Sequence, residues 1–69
     1  MNYAQTIIDK ARNFEHASDL ADTECLSEGV YKRCPCWVFA DNSVLIDIDG
    51  GLFETHSNFD DIRHEVKLK

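Results

Sequence analysis

The sequence predicts an α+β fold: an N-terminal helix or pair of helices, a three-stranded antiparallel meander and a short C-terminal helix. Three observations predict it. Apolar residues recur at helical spacing near the N-terminus, alternate from Val30 onwards, and return to helical spacing after Asn58. A chain of 69 residues has room for one hydrophobic core, so residues 1–69 are expected to form a single domain.

The N-terminal helical stripe consists of residues at spacings of four, four and three: Tyr3, Ile7, Ala11 and Phe14. Asn2 is a suitable N-cap, and Gly29 is a suitable stop. Ser18-Asp19 also has the chemistry of an N-cap. Residues 3–28 are therefore predicted to be one helix, or two with a break at Ser18, and the break is favoured because one helix would extend ~39 Å.

The alternating region predicts two reversals of an antiparallel sheet. Asp41-Asn42 is a turn pair, and pairing across it sets Phe39 opposite Val44 and Trp37 opposite Ile46. Asp49-Gly50-Gly51 is the second turn and leads into a strand over residues 52–56. Since Pro35 cannot donate a ladder hydrogen bond, its strand is expected at a sheet edge.

This register assigns the strand residues to two faces. The predicted core face, which the helices should cover in a two-layer domain, contains Trp37, Phe39, Val44, Ile46, Ile48, Phe53 and Thr55. The predicted outer face carries Asp47, Asp49, Glu54 and His56 among Val38, Leu45 and Leu52. In the predicted C-terminal helix, Ser57-Asn58 form the cap, and Phe59, Ile62 and Val66 form the apolar stripe.

The charge balance excludes several classes of partner. The chain has 13 acidic and 7 basic residues, for a net charge of -6. Direct binding to nucleic acid or to an anionic membrane requires the opposite sign. Neither a membrane span nor a secretory signal pattern is recognisable, and three cysteines without an export signal favour the cytoplasm.

The acidic residues are unevenly distributed along the chain. Residues 34–62 contain no Lys or Arg but six acids, and residues 13–31 contain five more, again without a base. Such segregation predicts that negative charge, and the electric field it produces, is concentrated on part of the surface. Strand residues two apart are ~6.6 Å apart, similar to the spacing of successive nucleic-acid phosphates. The predicted partner-binding residues are therefore Asp41, Asp47, Asp49 and Glu54, with Glu24 and Glu28 as auxiliaries.

Catalytic and metal chemistry are weaker interpretations. No nucleophile motif or phosphate-binding loop is present, so the chain is not expected to be an enzyme or to need a cofactor. Cys34-Pro-Cys36 has a spacing of one, whereas zinc sites use two to four. Cys25 and His16 lie on a different predicted element. Free thiols are therefore favoured, no metal ligand is assigned, and a small zinc module remains an alternative.

The segment Phe39–Ile46, FADNSVLI, resembles the F-x-D-N-S-V-L-I hairpin of small acidic phage anti-CRISPR proteins that mimic DNA and inhibit type I-F surveillance complexes. The resemblance implies a cytoplasmic, non-enzymatic inhibitor whose acidic side chains occupy a basic, nucleic-acid-handling surface of a CRISPR effector. A second expectation is a homodimeric or partner-docking module that uses Val38, Leu45 and Leu52 as apolar anchors on the outer sheet face.

Overall fold

The computed structural model describes residues 2–49 and 51–69 and has an α+β fold. Within these residues, α1 (Tyr3–Lys10) and α2 (Phe14–Glu24) precede a five-stranded antiparallel sheet, which has two more strands than the sequence predicts. The strands are β1 (Ser27–Tyr31), β2 (Cys34–Val38), β3 (Val44–Asp47), β4 (Phe53–His56) and β5 (Val66–Leu68). Their spatial order is β4-β3-β2-β1-β5. Neither helix has the length and apolar run needed to cross a bilayer.

The N-terminal region is two helices, but the predicted position of the break is wrong. Asn2 caps α1 as expected, because its side chain accepts the Gln5 N–H at 2.7 Å. The second helix begins after Asn13, whose side chain accepts the His16 N–H at 2.9 Å. His16 Nδ1 in turn accepts the Arg12 N–H at 3.0 Å. These reciprocal bonds satisfy the amides at the start of α2, so Ser18 lies inside the helix.

The predicted helix stop at Gly29 is also wrong, because Gly29 lies in β1. A β carbon added there would lie 2.4 Å from the Lys67 carbonyl oxygen, so the close approach of β5 requires glycine. The reversal from β1 to β2 occurs at Lys32 and Arg33, with φ of 48° and 69°. A two-residue loop with both residues at positive φ is the hairpin turn whose twist matches the strands, but it usually contains Asn or Gly.

The predicted register between β2 and β3 is wrong by one residue. Trp37 pairs with Leu45, and Val38 pairs with Val44. The Phe39 N–H donates to the Ser43 carbonyl at 2.9 Å, which closes a three-residue loop over residues 40–42, one residue longer than a turn of Asp41-Asn42 alone. Asn42, at φ 72°, completes the turn that Asp41-Asn42 predicted. A one-residue shift exchanges the two faces of a strand, so Leu45 lies in the core beneath the helices and Val44 and Ile46 lie on the opposite face.

Pro35 does not mark a sheet edge, since β2 is the central strand. The ladder between β2 and β3 extends over Cys36–Val38 only, so Pro35 lies beyond the last residue of β2 that pairs with β3. The predicted turn at residues 49–51 includes Gly50, which lies outside the described residues. On either side of that turn, the Ile48 N–H donates to the Leu52 carbonyl at 2.8 Å.

The predicted C-terminal helix is not formed. Two short 3-10 turns, Phe59–Asp61 and Arg63–Glu65, are followed by β5, which pairs with β1. The predicted cap is correct, because the Asn58 side chain accepts the Asp60 N–H at 3.0 Å. A segment this short gains more from adding a strand to the sheet than from a helix, which is marginal at this length.

Both faces of the sheet are covered, in place of the predicted two layers. The helices cover one face, where the buried cluster is Ala4, Ile7, Ala17, Ala21, Trp37, Phe39 and Leu45. The C-terminal turns cover the other, where the buried cluster is Tyr31, Cys36, Val38, Val44, Ile46, Phe59 and Ile62. We call these the helix-side face and the turn-side face.

Candidate anionic interface

The acids predicted on the sheet do not form one surface. Asp47 pairs with Phe53, which packs against the helix-side cluster. Glu54 pairs with Ile46, which lies in the turn-side cluster. Paired residues of an antiparallel ladder share a face, so Asp47 and Glu54 point to opposite sides of the sheet. Asp49 is exposed beyond the end of β3.

Asp41 has a structural role. Its Oδ2 accepts the Tyr3 N–H at 2.8 Å, and its Oδ1 accepts the Ser43 N–H at 3.0 Å and the Ser43 hydroxyl. The buried Ser43 Oγ accepts the Ala4 N–H at 3.1 Å. Hydrogen bonds, first from the Ser43 hydroxyl, lower the pKa of Asp41. The carboxylate therefore ties the β2–β3 loop to the positive end of α1.

Glu24 is also engaged within the chain. It accepts a hydrogen bond from the Tyr3 hydroxyl, and its Oε2 lies 3.4 Å from Lys10 Nζ. The hydrogen bond from Tyr3 lowers the pKa of Glu24 and, in the opposite sense, raises the pKa of Tyr3. Lys10 Nζ also lies 5.8 Å from the centre of the Tyr3 ring. An open cleft of about 370 Å³ is lined by Tyr3, Glu24, Ala40 and Asp41.

Eight exposed acids lie outside the ion pairs of the described residues, and three of them are on α2. Glu15, Asp19 and Asp22 are exposed and are spaced by four and three residues. This spacing places them on one side of the helix, about 6 Å and about 4.5 Å apart along its axis. None of the ion pairs between described residues includes any of the three. Together they form an acidic stripe along the solvent side of α2.

At the C-terminal end of α2 the acidic stripe is held by a hydrogen bond to the core, and another acid follows it on β1. Asp22 Oδ1 accepts the indole N–H of the buried Trp37 at 2.7 Å, which fixes this carboxylate against the core. Glu28 lies on β1, past the end of the helix. Burial first, and then the charges of Glu28 and Asp22, raise the pKa of Cys25. These two acids therefore flank one thiol, so Glu28 continues the acidic stripe onto the sheet.

The other cysteines and histidines do not assemble a ligand set. Cys36 is 1% exposed in the turn-side cluster, where burial raises the pKa of its thiol. Cys34 Sγ donates to the Ile48 carbonyl at 3.5 Å. Over residues 2–49 and 51–69, no three His, Cys, Asp or Glu side chains lie close enough together to hold a metal ion.

Two buried polar atoms among the described residues have no hydrogen-bond partner: Asp47 Oδ1 and His56 Nε2. His56 Nε2 lies 3.4 Å from Glu54 Oε1 without the geometry of a hydrogen bond. Its ring packs edge-on against Tyr31, with the ring centres 5.9 Å apart. Since Glu54 faces His56, it is a less available anion than its sequence context predicts.

Protein-family models, curated proteins and solved structures were compared with the chain, and none of them matches it.

The acidic stripe was within reach of sequence reasoning. Glu15, Asp19 and Asp22 lie in the acid-only segment 13–31, and their spacing is that of one helix face. They were missed because the regular alternation at Asp47 and Asp49 directed the prediction to the sheet. Of the six predicted residues, the structure leaves Asp41, Asp49 and Glu28 exposed and without an ion-pair partner in the described ranges, and Asp41 is held by hydrogen bonds within the chain.

Proposed function

We propose that the protein is a non-enzymatic inhibitor that binds a basic, nucleic-acid-handling surface of another protein through the acidic stripe of α2. The observation that carries the proposal is the row of three exposed carboxylates, Glu15, Asp19 and Asp22, outside every ion pair of the described residues. Glu28 extends this row. A net charge of -6 favours association with a basic partner.

The spacing of the row supports mimicry of a nucleic-acid backbone. The three residues rise about 6 Å and about 4.5 Å from one to the next along the helix axis, a repeat of the same order as the separation of successive phosphates, which is on the order of 7 Å. A groove lined with Arg and Lys for phosphates also accepts carboxylates, because the guanidinium fork matches both groups. Asp22 is held by Trp37, which reduces the entropy lost when this end of the row binds.

Asp41 and Glu24 contribute differently in this proposal from what the sequence predicts. Both are engaged by Tyr3, so they stabilise the fold and line the cleft beside α1. Asp49 is a peripheral contact at the end of β3. Asp47 and Glu54 lie on opposite faces of the sheet and cannot both meet one flat partner surface.

A cytoplasmic CRISPR effector is the target to test first. This narrower form rests on the resemblance of the hairpin Phe39–Ile46 to that of phage anti-CRISPR proteins. In this chain Asp41 of the hairpin makes structural hydrogen bonds. The resemblance therefore concerns the local structure of the hairpin, whereas the proposed contact surface is on α2.

A competition experiment tests the proposal. A purified type I-F surveillance complex is incubated with labelled target DNA and increasing amounts of the protein, and DNA binding is followed by fluorescence anisotropy. We expect displacement of DNA that weakens steeply between about 50 and about 200 mM salt. The double variant Glu15→Gln/Asp19→Asn should lose at least about tenfold in potency, because it removes two interfacial charge pairs.

The matched control is Asp60→Asn/Asp61→Asn. It changes the net charge equally, but both residues lie in the 3-10 turn that covers the turn-side face. Its potency should stay within about twofold of the unaltered protein. Equal losses for the two double variants would show a general charge effect and contradict the acidic stripe. Unimpaired DNA binding with this protein bound elsewhere on the complex would contradict mimicry.

A second candidate function is an apolar docking module, but its anchors differ from those predicted. Val38 and Leu45 are buried, so of the three predicted anchors Leu52 alone is exposed. Leu26 is 72% exposed just before β1. Val30, on the helix-side face of β1 beside the exposed Pro35, is 39% exposed. Self-association that persists at high salt and is lost in Leu26→Ser/Val30→Thr by analytical ultracentrifugation would favour this function over the first.

A further inference from the structure

The open cleft beside α1 combines three features that recognise a cation. Its lining includes one aromatic residue, Tyr3, and two acids, Glu24 and Asp41. Its volume of about 370 Å³ is within the range of small-ligand pockets. Aromatic faces attract cations, and carboxylates pair with them, so the lining selects an organic cation with an apolar stem.

The chain itself already places a cation against two of the lining residues. Lys10 Nζ lies 3.4 Å from Glu24 Oε2 and 5.8 Å from the centre of the Tyr3 ring. Lys10 is about half exposed, and it neutralises one of the two carboxylates. Asp41 Oδ2 accepts one hydrogen bond, from the Tyr3 N–H, and retains the capacity to accept another. The cleft therefore has one negative charge that no ion pair of the described residues neutralises.

We propose that the cleft binds the guanidinium group of an arginine side chain from a partner protein. A planar guanidinium can stack on the Tyr3 ring while its five donors hydrogen-bond to a carboxylate of the lining, a combination that the compact ammonium of lysine offers less well. This inference rests on the proposed function for the source of the arginine, since a phosphate-binding surface is rich in that residue. The cleft would receive one such side chain beside α1, separately from the acidic stripe, because Glu24 lies on the opposite side of α2 from the stripe.

The test uses a small probe, so that it does not depend on any particular target. N-acetyl-arginine amide is titrated into the ¹⁵N-labelled protein, and the amide resonances of Tyr3, Ala40 and Asp41 are followed. We expect saturable shifts confined to these residues and their neighbours. N-acetyl-citrulline amide, which is similar in shape and uncharged, should cause no saturable shift, and N-acetyl-lysine amide should bind more weakly.

Three variants are expected to change the affinity for the arginine probe, two by lowering it and one by raising it. Glu24→Gln keeps an acceptor for the Tyr3 hydroxyl but removes the charge, so we expect binding about tenfold weaker. Ala40→Leu should abolish binding by filling the cleft. Lys10→Met removes the competing cation and should tighten binding about two- to fivefold. Lys67→Met, an equal charge change on β5, is the control and should stay within about twofold.

Failure of this inference is distinct from failure of the proposed function. Equal shifts with citrulline, shifts spread over Asp19 and Asp61 as well, or unchanged affinity in Lys10→Met would each overturn the arginine site, whatever the competition with DNA shows. Conversely, probe binding with the expected signs would sustain the arginine site even if no surveillance complex is inhibited.

Discussion

At the scale of single residues, Asp41 shows that exposure and structural importance are separate properties. Its side chain accepts hydrogen bonds from Tyr3 and Ser43 while remaining largely in solvent. We expect Asp41→Ala to lower the free energy of unfolding by about 1–2 kcal/mol, because a donor at the start of α1 and two at Ser43 lose their charged acceptor. Urea denaturation measures this change. The exposed Asp61→Ala should stay within about 0.5 kcal/mol, and an equal effect of both would contradict the structural role.

Gly29 is the second residue whose role is steric. Because a β carbon would lie 2.4 Å from the Lys67 carbonyl oxygen, Gly29→Ala must displace β5. We expect a loss of about 2 kcal/mol or more in the free energy of unfolding and faster hydrogen exchange at the β5 amides. The amides of β3, two strands away, should keep their relative protection. Unchanged exchange in β5 would contradict the close approach of the two strands.

At the scale of elements, the position of the helix break can be tested with two substitutions. Asn13 caps α2, so Asn13→Ala should cost about 1 kcal/mol of stability. Ser18 lies inside α2, where alanine has the higher helix propensity, so Ser18→Ala should be neutral or stabilising by up to about 0.5 kcal/mol. Thermal unfolding followed by circular dichroism ranks the two. A larger loss of stability in Ser18→Ala than in Asn13→Ala would instead support a helix break at Ser18, as the sequence predicts.

The elements that the sequence predicts correctly are those defined by local chemistry. The caps at Asn2 and Asn58 and the turn at Asp41-Asn42 depend on neighbouring residues alone, and all three are present. By contrast, the β1–β2 turn uses Lys32-Arg33, which carry no turn signal. The pairing of β5 with β1 joins distant segments and cannot be seen in any local pattern. The register error has the same origin, since one residue of loop length decides which face is buried.

At the scale of the whole molecule, the sequence predicts the sign and segregation of charge but not which acids are available. Availability depends on tertiary partners: Tyr3 engages Glu24 and Asp41 across the fold, and His56 faces Glu54. The acids of the acidic stripe on α2 are among those that these contacts leave exposed. A sequence window contains no information about them, because the partners lie on other elements.

The same contacts determine how stability depends on pH. The pKa of Asp41 and that of Glu24 lie below their ordinary values of 3.8 and 4.5, chiefly because Ser43 and Tyr3 donate hydrogen bonds to them. The unfolded chain therefore binds these protons more tightly than the folded chain, and the stabilisation is present above the ordinary values and lost as pH falls through the folded ones. For Tyr3 and Cys36 the pKa is raised above 10.0 and 9.0, by the hydrogen bond to Glu24 and by burial, so their contribution is lost at high pH.

The acid side of this dependence gives a prediction for Asp41→Asn. At neutral pH the variant should be less stable than the unaltered protein, because the charged acceptor is gone. As the pH falls below the ordinary value of 3.8, the unfolded chain binds the Asp41 proton first and the folded chain binds it at a lower pH, so the two stabilities should converge. Urea denaturation from about pH 7 down to about pH 2 measures both curves, with Asp61→Asn as the exposed control. A constant difference between the Asp41→Asn and unaltered curves down to the lowest pH would contradict the charged hydrogen bonds, since a purely steric defect does not titrate.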